Sequence, residues 1–202
     1  DDTLIGGAGA DVFDGGSGFD TADYSGALAA VTVYLDGTTG SGSDAAGDIL
    51  TSIEQLLGSA HDDRLTGGNA TETIRGGAGN DIIFGANGDD SLSGEAGNDT
   101  LTGGLGADLI DGGAGTDTAS YASSLAGVTV YLDGTVSVGG DADGDILTSI
   151  ETLIGSSFAD ALYGSANADT ISAGAGDDIL YSSNGADVLT GGAGFDSVDY
   201  SN

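Results

Sequence analysis

Acidic side chains recur at a fixed spacing along most of this 202-residue sequence. Fourteen segments of nine residues, which we call nonads, each carry Asp or Glu as their sixth residue. Carboxylate oxygens are preferred ligands of Ca²⁺, which binds roughly six to eight oxygens and accepts backbone carbonyls as well. A column of carboxylates therefore predicts calcium binding, provided that the fold brings its members together. The sixth residues are Asp11, Asp20, Asp63, Glu72, Asp81, Asp90, Asp99, Asp108, Asp117, Asp160, Asp169, Asp178, Asp187 and Asp196, and Asp2 lies one such interval before Asp11.

The other positions of each nonad indicate how these carboxylates are held. The eighth residue is apolar in all fourteen nonads, and glycine is common at positions one, two and four. Glycine permits the positive φ angles that tight turns need. Positions seven to nine, such as Thr-Leu-Thr at 100–102, predict a short strand whose middle side chain points inward. Each nonad is thus one turn followed by one strand.

A longer repeat sets the size of one coil. The segment YSGALAAVTVYLDG at 24–37 recurs as YASSLAGVTVYLDG at 121–134, an offset of 97 residues. The interval from Tyr121 to Tyr200, where a third copy begins, is shorter by 18 residues, which is two nonads. We therefore predict an all-β fold, a right-handed parallel β-roll (β-solenoid) with two nonads in each 18-residue coil.

Composition limits the partners and the chemistry. The chain has 33 Asp and Glu but only two basic residues, Arg64 and Arg75, and its formal net charge is -31. Basic surfaces bind nucleic acids and anionic membranes, so neither is an expected partner. There is no Cys, and no apolar run reaches the roughly 20 residues that span a bilayer. His61 is the only histidine, and equivalent carboxylates lack the two environments of an acid–base pair, so we expect no enzyme.

Nonads such as GGAGNDIIF at 76–84 carry the pattern G-G-x-G-x-D-x-U-x, where U is a large apolar residue. This pattern resembles the repeats-in-toxin (RTX) family of calcium-binding β-rolls, and the resemblance covers residues 1–23, 58–120 and 155–199. It implies Ca²⁺ bound between stacked turns, folding that requires calcium, and export by type I secretion. It also implies that the protein is extracellular, either secreted or at the bacterial cell surface.

Stacking of turns two nonads apart predicts the calcium sites. Asp81 would lie beside Asp99, and Asp90 beside Asp108, with an ion between each pair. Pairing all turns in this way predicts about nine calcium ions or more, alternating between the two edges of the roll. Backbone carbonyls of the turns would complete each site. The turn glycines that we assign to these sites in the tract 76–120 are Gly77, Gly79, Gly97, Gly104, Gly106, Gly113 and Gly115.

The sequence divides into β-roll tracts and spacers. The nonads 58–66, 155–163 and 164–172 each lack two of the pattern's glycines, and 67–75 has Ala70 in place of the third glycine and Glu72 in place of Asp. We expect weak or missing calcium in these four nonads. The predicted division is 1–23 β-roll, 24–57 spacer, 58–120 β-roll of seven nonads, 121–154 spacer, 155–199 β-roll of five nonads, and 200–202 the start of a third spacer.

Each spacer is close to two coils in length, so we expect it to continue the roll with fewer calcium ligands. Glu54 and Glu151 fall at position six of degenerate nonads, and Val31 falls at position eight when the count continues from Asp23. Asp141 and Asp145 lie in DADGD, an imperfect match to the start of an EF-hand loop. Contact of these two residues with a calcium ion in the spacer is one interpretation, and a solvent-exposed turn is the favoured one.

Two hypotheses for function remain. In the first, the chain is a calcium-rigidified segment of a long secreted bacterial repeat protein, such as an adhesin, a surface-layer protein or an extracellular filament. Its partners would be calcium and neighbouring repeats or end-to-end copies. In the second, it is the secretion and folding module of a toxin or hydrolase whose catalytic domain lies outside this chain. The 97-residue repeat, with incomplete repeats at both ends, favours the first. Repulsion among the carboxylates predicts an unfolded chain without calcium in either case.

Overall fold

A computed structural model of the chain describes residues 1–200. Its only helical segments are two 3-10 turns, Ser43–Ala45 and Gly140–Ala142, and neither is long and apolar enough to cross a membrane. Residues 201–202, at the start of the predicted third spacer, lie outside the described residues. The strands are β1 (Thr3–Leu4), β2 (Val12–Asp14), β3 (Thr21–Asp23), β4 (Thr32–Tyr34), β5 (Ile49–Thr51), β6 (Gln55–Leu57), β7 (Arg64–Thr66), β8 (Thr73–Ala78), β9 (Ile82–Asn87), β10 (Ser91–Ala96), β11 (Thr100–Leu105), β12 (Leu109–Ala114), β13 (Thr118–Ser120), β14 (Thr129–Tyr131), β15 (Ile146–Thr148), β16 (Thr152–Ile154), β17 (Ala161–Tyr163), β18 (Thr170–Ala175), β19 (Ile179–Tyr181), β20 (Val188–Ala193) and β21 (Ser197–Asp199).

Neighbouring strands are parallel and, within the nonad tracts, lie one 18-residue coil apart. Leu92 in β10 pairs with Ile74 in β8 and with Ile110 in β12. One sheet has the order β1-β3-β6-β8-β10-β12-β15, and another has the order β4-β7-β9-β11-β13-β16-β18-β20. Two smaller sheets contain β14-β17-β19-β21 and β2-β5. The predicted parallel β-roll with two nonads per coil is confirmed.

Position-eight side chains form the core. Leu65, Ile83 and Leu101 are fully buried and pair in succession along one sheet, while the residues beside them in each strand are more exposed. Each strand therefore contributes one apolar layer to the interior. Hydrophobic burial alone offsets little of the ordering entropy of so many glycines, so the turns have to contribute to stability.

The spacers depart from simple stacking. β4 pairs with the later strand β7, whereas β5 pairs with the earlier strand β2, and β6 pairs with β3. The chain thus moves ahead along the roll and then returns through a 3-10 turn to extend the part already formed. The second spacer repeats this path, with β14 on β17, β15 on β12 and β16 on β13.

The prediction for Val31 is wrong. Val33 is the middle residue of β4, with no exposed surface. The Val31 amide donates to Oδ1 of Asp63 at 2.8 Å, which is the role of a position-six residue. The count failed because the segment between Asp20 and Val31 is two residues longer than a nonad.

Candidate metal centre

Position-six carboxylates form ladders beside the turns. The backbone amide of Asp81 donates to Oδ1 of Asp99 at 2.7 Å, and the amide of Asp99 donates to Oδ1 of Asp117 at 2.8 Å. The amide of Asp90 donates to Oδ1 of Asp108 at 2.8 Å. Each carboxylate is therefore held against the turn of the preceding coil, and the structure brings these residues together in the predicted order.

Hydrogen bonds of this kind, together with backbone pairing between coils, assign every predicted carboxylate to a ladder. Glu54 and Glu151 occupy position-six places within the spacers, as predicted. One ladder contains Asp2, Asp20, Glu54, Glu72, Asp90, Asp108 and Asp145. A second contains Asp63, Asp81, Asp99, Asp117, Glu151, Asp169 and Asp187. Two shorter ones contain Asp11 and Asp48, and Asp160, Asp178 and Asp196.

Many of these carboxylates have one oxygen without a partner. In Asp81 and Asp99, Oδ1 accepts a backbone amide, whereas Oδ2 is buried and unpaired. Burial raises the pKa of Asp81 and of Asp90 to about 7, and neighbouring acidic groups add to the rise. A buried anionic oxygen without a partner is costly, so this geometry favours a bound cation. The other aspartates with an unpaired Oδ2 are Asp11, Asp20, Asp90, Asp108, Asp117 and Asp178.

Neither arginine supplies the missing positive charge. Arg75 Nη1 lies 3.2 Å from Glu95 Oε1 at the surface, and the Arg64 guanidinium lies 4.5 Å from the centre of the Phe84 ring. Within residues 1–200, no three acidic, histidine or cysteine side chains group together in a way that could hold a metal ion. A ladder brings two carboxylates to each step, so a Ca²⁺ ion would need turn carbonyls for its remaining oxygens.

Turn glycines allow the backbones of successive coils to approach closely. Gly97 has a φ of 147°, and a Cβ at this position would overlap the carbonyl oxygen of Gly79. A Cβ at Gly115 would overlap the carbonyl oxygen of Gly97 in the same way. The turns therefore stack backbone against backbone. All of the glycines that the sequence assigned to calcium sites have positive φ: Gly77, Gly79, Gly97, Gly104, Gly106, Gly113 and Gly115.

A family model for the RTX calcium-binding nonapeptide repeat, built on four copies, matches most of the chain. The matches lie at residues 1–22, 52–83, 66–101, 84–119, 147–180 and 163–198. The chain belongs to this RTX family. No curated protein matches it. RTX repeats bind calcium, and the donors found here fit that ion, because they are buried anionic oxygens with no nitrogen or sulfur ligand among them.

Four RTX turns satisfy their carboxylates without a cation. The Ser156 amide donates to Oδ2 of Asp160 at 2.7 Å, and the Ser156 hydroxyl donates to Oδ1 at 2.7 Å. The Ser156 oxygen also accepts the amide of Phe158 at 3.0 Å. We call such turns closed, and those with glycine at position four open. The closed turns belong to nonads 58–66, 67–75, 155–163 and 164–172, the same four in which the sequence predicted weak calcium binding.

Sequence reasoning misjudged Asp145 and overlooked its counterpart Asp48. Asp145 is fully buried, not solvent-exposed, and its Oδ1 accepts the amide of Asp108 at 2.8 Å. Its Oδ2 accepts the Tyr121 hydroxyl at 2.7 Å, and Tyr24 donates to Asp48 at 2.9 Å in the first spacer. At Asp48 and Asp145, therefore, a tyrosine hydroxyl pairs with the same carboxylate oxygen, Oδ2, that is unpaired in Asp81 and Asp99. The available signal was the equal spacing of Tyr and Asp in both spacers.

Proposed function

We propose that this chain is a calcium-rigidified structural segment of a long secreted bacterial repeat protein, such as an adhesin, a surface-layer protein or an extracellular filament. The 97-residue repeat supports the proposal, because both spacers join the roll through equivalent pairings. One sheet continues from β3 to β6 and another from β13 to β16 across the spacers. Further copies could be added without interrupting the solenoid, which suits a load-bearing rod.

Calcium would act on the open turns. Asp81, Asp90, Asp99, Asp108 and Asp117 each present an unpaired Oδ2 in the interior. Bound Ca²⁺ supplies positive charge and coordination to these oxygens, and so removes the repulsion along each ladder. A chain with a net charge of -31 would stay expanded where free calcium is low and fold after export. This coupling supports a secreted or cell-surface location.

Small-angle X-ray scattering of the full chain tests this function. With calcium we expect a rod of roughly 50 Å, from about 11 coils at about 4.8 Å each. With chelator we expect a larger and more flexible particle. Magnesium at the same concentration is the control, because its compact octahedral shell fits a ladder of two carboxylates poorly. A particle of the same shape in calcium and in chelator would contradict the proposal.

The sequence that flanks residues 1–202 in the parent gene decides between this role and an appendage of an enzyme or toxin. Additional 97-residue copies on either side would support a structural rod. A protease, lipase or pore-forming domain beside a single copy would instead make the chain a secretion and folding module. Calcium binding is expected in both cases, so only the flanking sequence separates them.

A further inference from the structure

We propose that the residue at position four of a nonad decides whether its turn takes a cation, and that the segments 24–75 and 121–172 fold without calcium. We call these two segments the closed blocks. The proposal rests on the calcium-dependent function above, because it assigns calcium to some turns and excludes it from others. It departs from the expectation, based on charge alone, that the whole chain unfolds without calcium.

The residue at position four determines the backbone conformation of the turn. All ten open turns have a glycine there with φ between 119° and 155°. The closed turns have a side chain at this position, and none of them has a positive φ there. A side chain at position four is thus accommodated by a different turn. The residues at position four are Gly9, Gly18, Gly79, Gly88, Gly97, Gly106, Gly115, Gly176, Gly185 and Gly194 in open turns, and His61, Ala70, Phe158 and Asn167 in closed turns.

The closed conformation directs the turn's own donors at its carboxylate. In the nonad 164–172, the Ser165 amide donates to Oδ2 of Asp169 at 2.6 Å, and the Ser165 hydroxyl donates to Oδ1 at 3.0 Å. The nonad 58–66 repeats this with Ser59 and Asp63, whose amide-to-Oδ2 distance is 2.5 Å. These donors occupy the oxygen that is buried and unpaired in eight of the ten open turns. The open nonad 182–190 differs, because its Ser182 hydroxyl donates to Oδ2 of Asp187 at 2.8 Å. A closed turn therefore offers a cation no free carboxylate oxygen.

Closed turns and spacers are adjacent in the chain. Two closed nonads follow each spacer directly, and within each spacer a tyrosine hydroxyl pairs with the buried Asp48 or Asp145. Every aspartate with a buried unpaired oxygen in the described chain lies in 1–23, 76–120 or 173–199. The closed blocks therefore contain no buried aspartate oxygen that requires a counterion.

Each closed block also has internal pairings that can hold it together. In 121–172, β14 pairs with β17 and β16 pairs with β18. The Val128 amide donates to Oδ1 of Asp160 at 2.8 Å, and Tyr121, Val130 and Leu162 are buried in its core. The apolar core and the hydrogen bonds remain when calcium is withdrawn.

Hydrogen–deuterium exchange of the full chain, read by mass spectrometry, tests the proposal. In chelator we expect amides in 121–172 to exchange at least about tenfold more slowly than those in 76–120. In calcium both regions should be protected. Equal exchange of the two regions in chelator, with calcium protecting both, would overturn the proposal and leave the calcium-dependent function intact. Failure of calcium to bind or to protect either region would overturn both.

Two variants test the role of position four. The double variant Ser156→Gly with Phe158→Gly should open one turn, raise the calcium count by about one, and remove protection of 155–163 in chelator. Ser156→Ala alone removes the hydroxyl and should lower that protection without adding calcium. Ser123→Ala, at an exposed serine of the same block, is the control and should change neither. A double variant that folds in calcium with an unchanged calcium count would overturn the proposal.

Discussion

The tract 76–120 and the block 121–172 belong to one roll but stabilise their turns differently. In 76–120, strands β9 to β12 are six residues long, because the glycine-rich turns extend the pairing into the next nonad. In 121–172, strands β14 to β17 are three residues long, and hydroxyl groups hold the carboxylates. The first region pairs more backbone but leaves anionic oxygens unpaired. The second satisfies its carboxylates with its own atoms.

This difference makes calcium dependence a property of single turns and not of the fold. Gly97 and Asn167 both lie at position four, yet only the glycine takes a positive φ. The apolar core continues through both regions, with Leu101 and Leu153 fully buried in the same sheet. A change of one or two turn residues should therefore move a coil from one class to the other.

The largest effect is expected from adding a methyl group at an open position four. Gly97→Ala would place a Cβ against the Gly79 carbonyl oxygen in a conformation that costs about 1–3 kcal/mol for a non-glycine residue. With the steric overlap, we expect the calcium-loaded chain to lose about 3 kcal/mol or more in urea unfolding. Asn167→Ala, at the exposed position four of a closed turn, should change stability by less than about 0.5 kcal/mol. Equal losses in the two variants would remove the distinction between the turns.

A smaller effect, on calcium count, is expected from neutralising one carboxylate. Asp99 lies between Asp81 and Asp117 in its ladder, so Asp99→Asn should remove about two bound ions. The amide of Asn keeps an oxygen for the Asp81 backbone, so folding in saturating calcium should survive. Asp169→Asn in a closed turn should leave the calcium count unchanged. Equilibrium dialysis with atomic emission measures both, and loss of calcium from the Asp169 variant would show that closed turns bind it.

The regular part of this molecule was predictable because one local rule repeats. Every strand from β8 to β12 follows from a nonad with an apolar eighth residue, and the pairing of Leu92 with Ile110 follows from the 18-residue coil. The ladder order from Asp81 to Asp117 needed no further information. In such tracts the sequence period and the structural period are the same.

The spacers were not predictable in this way, because their pairings do not keep the period. Leu109 pairs with Ile146, and Thr129 pairs with Ala161, at separations that no count of nonads gives. The buried carboxylate of Asp145 accepts a hydrogen bond from the Tyr121 hydroxyl, and the two residues are 24 positions apart in the spacer. The closed turns differ in sequence by the residue at position four. Only the hydrogen-bond geometry shows that their own amides and hydroxyls pair with the carboxylates.

Acidification should partly substitute for calcium in the tract 76–120. Without cation, burial raises the pKa of Asp81 and Asp90 to about 7 and that of Asp108 to about 6. Carboxyls of the unfolded chain titrate near about 4, so between about pH 4 and 7 the folded state binds more protons. Stability of the calcium-free roll therefore falls as pH rises through this window. Circular dichroism of calcium-free protein should show more β signal at about pH 4.5 than at about pH 7.5.

Calcium affinity should change in the opposite direction over the same range. Protons compete for the carboxylate oxygens, so binding should weaken as the pH falls from about 7 to about 5. Hydrogen exchange at the lower pH should locate the gain of structure in 76–120. If the increase in β signal at low pH depends on protein concentration, it reports aggregation. A β signal that decreases on acidification would contradict the assigned pKa shifts.

The smallest expected effect concerns position two, where nine of the ten open turns also have positive φ. Ala86 has a φ of 81°, a left-handed conformation that costs an L-residue roughly 1–2 kcal/mol. Ala86→Gly removes this strain but gives the unfolded chain more freedom, so we expect a net gain of about 0.5 kcal/mol in urea unfolding with calcium. Ala78→Gly in the same tract, at a residue without positive φ, carries only the entropic cost and should destabilise. The difference between the two variants isolates the strain at position two. If they are equally destabilising, position two contributes nothing to the open conformation, and position four alone distinguishes 76–120 from the closed blocks.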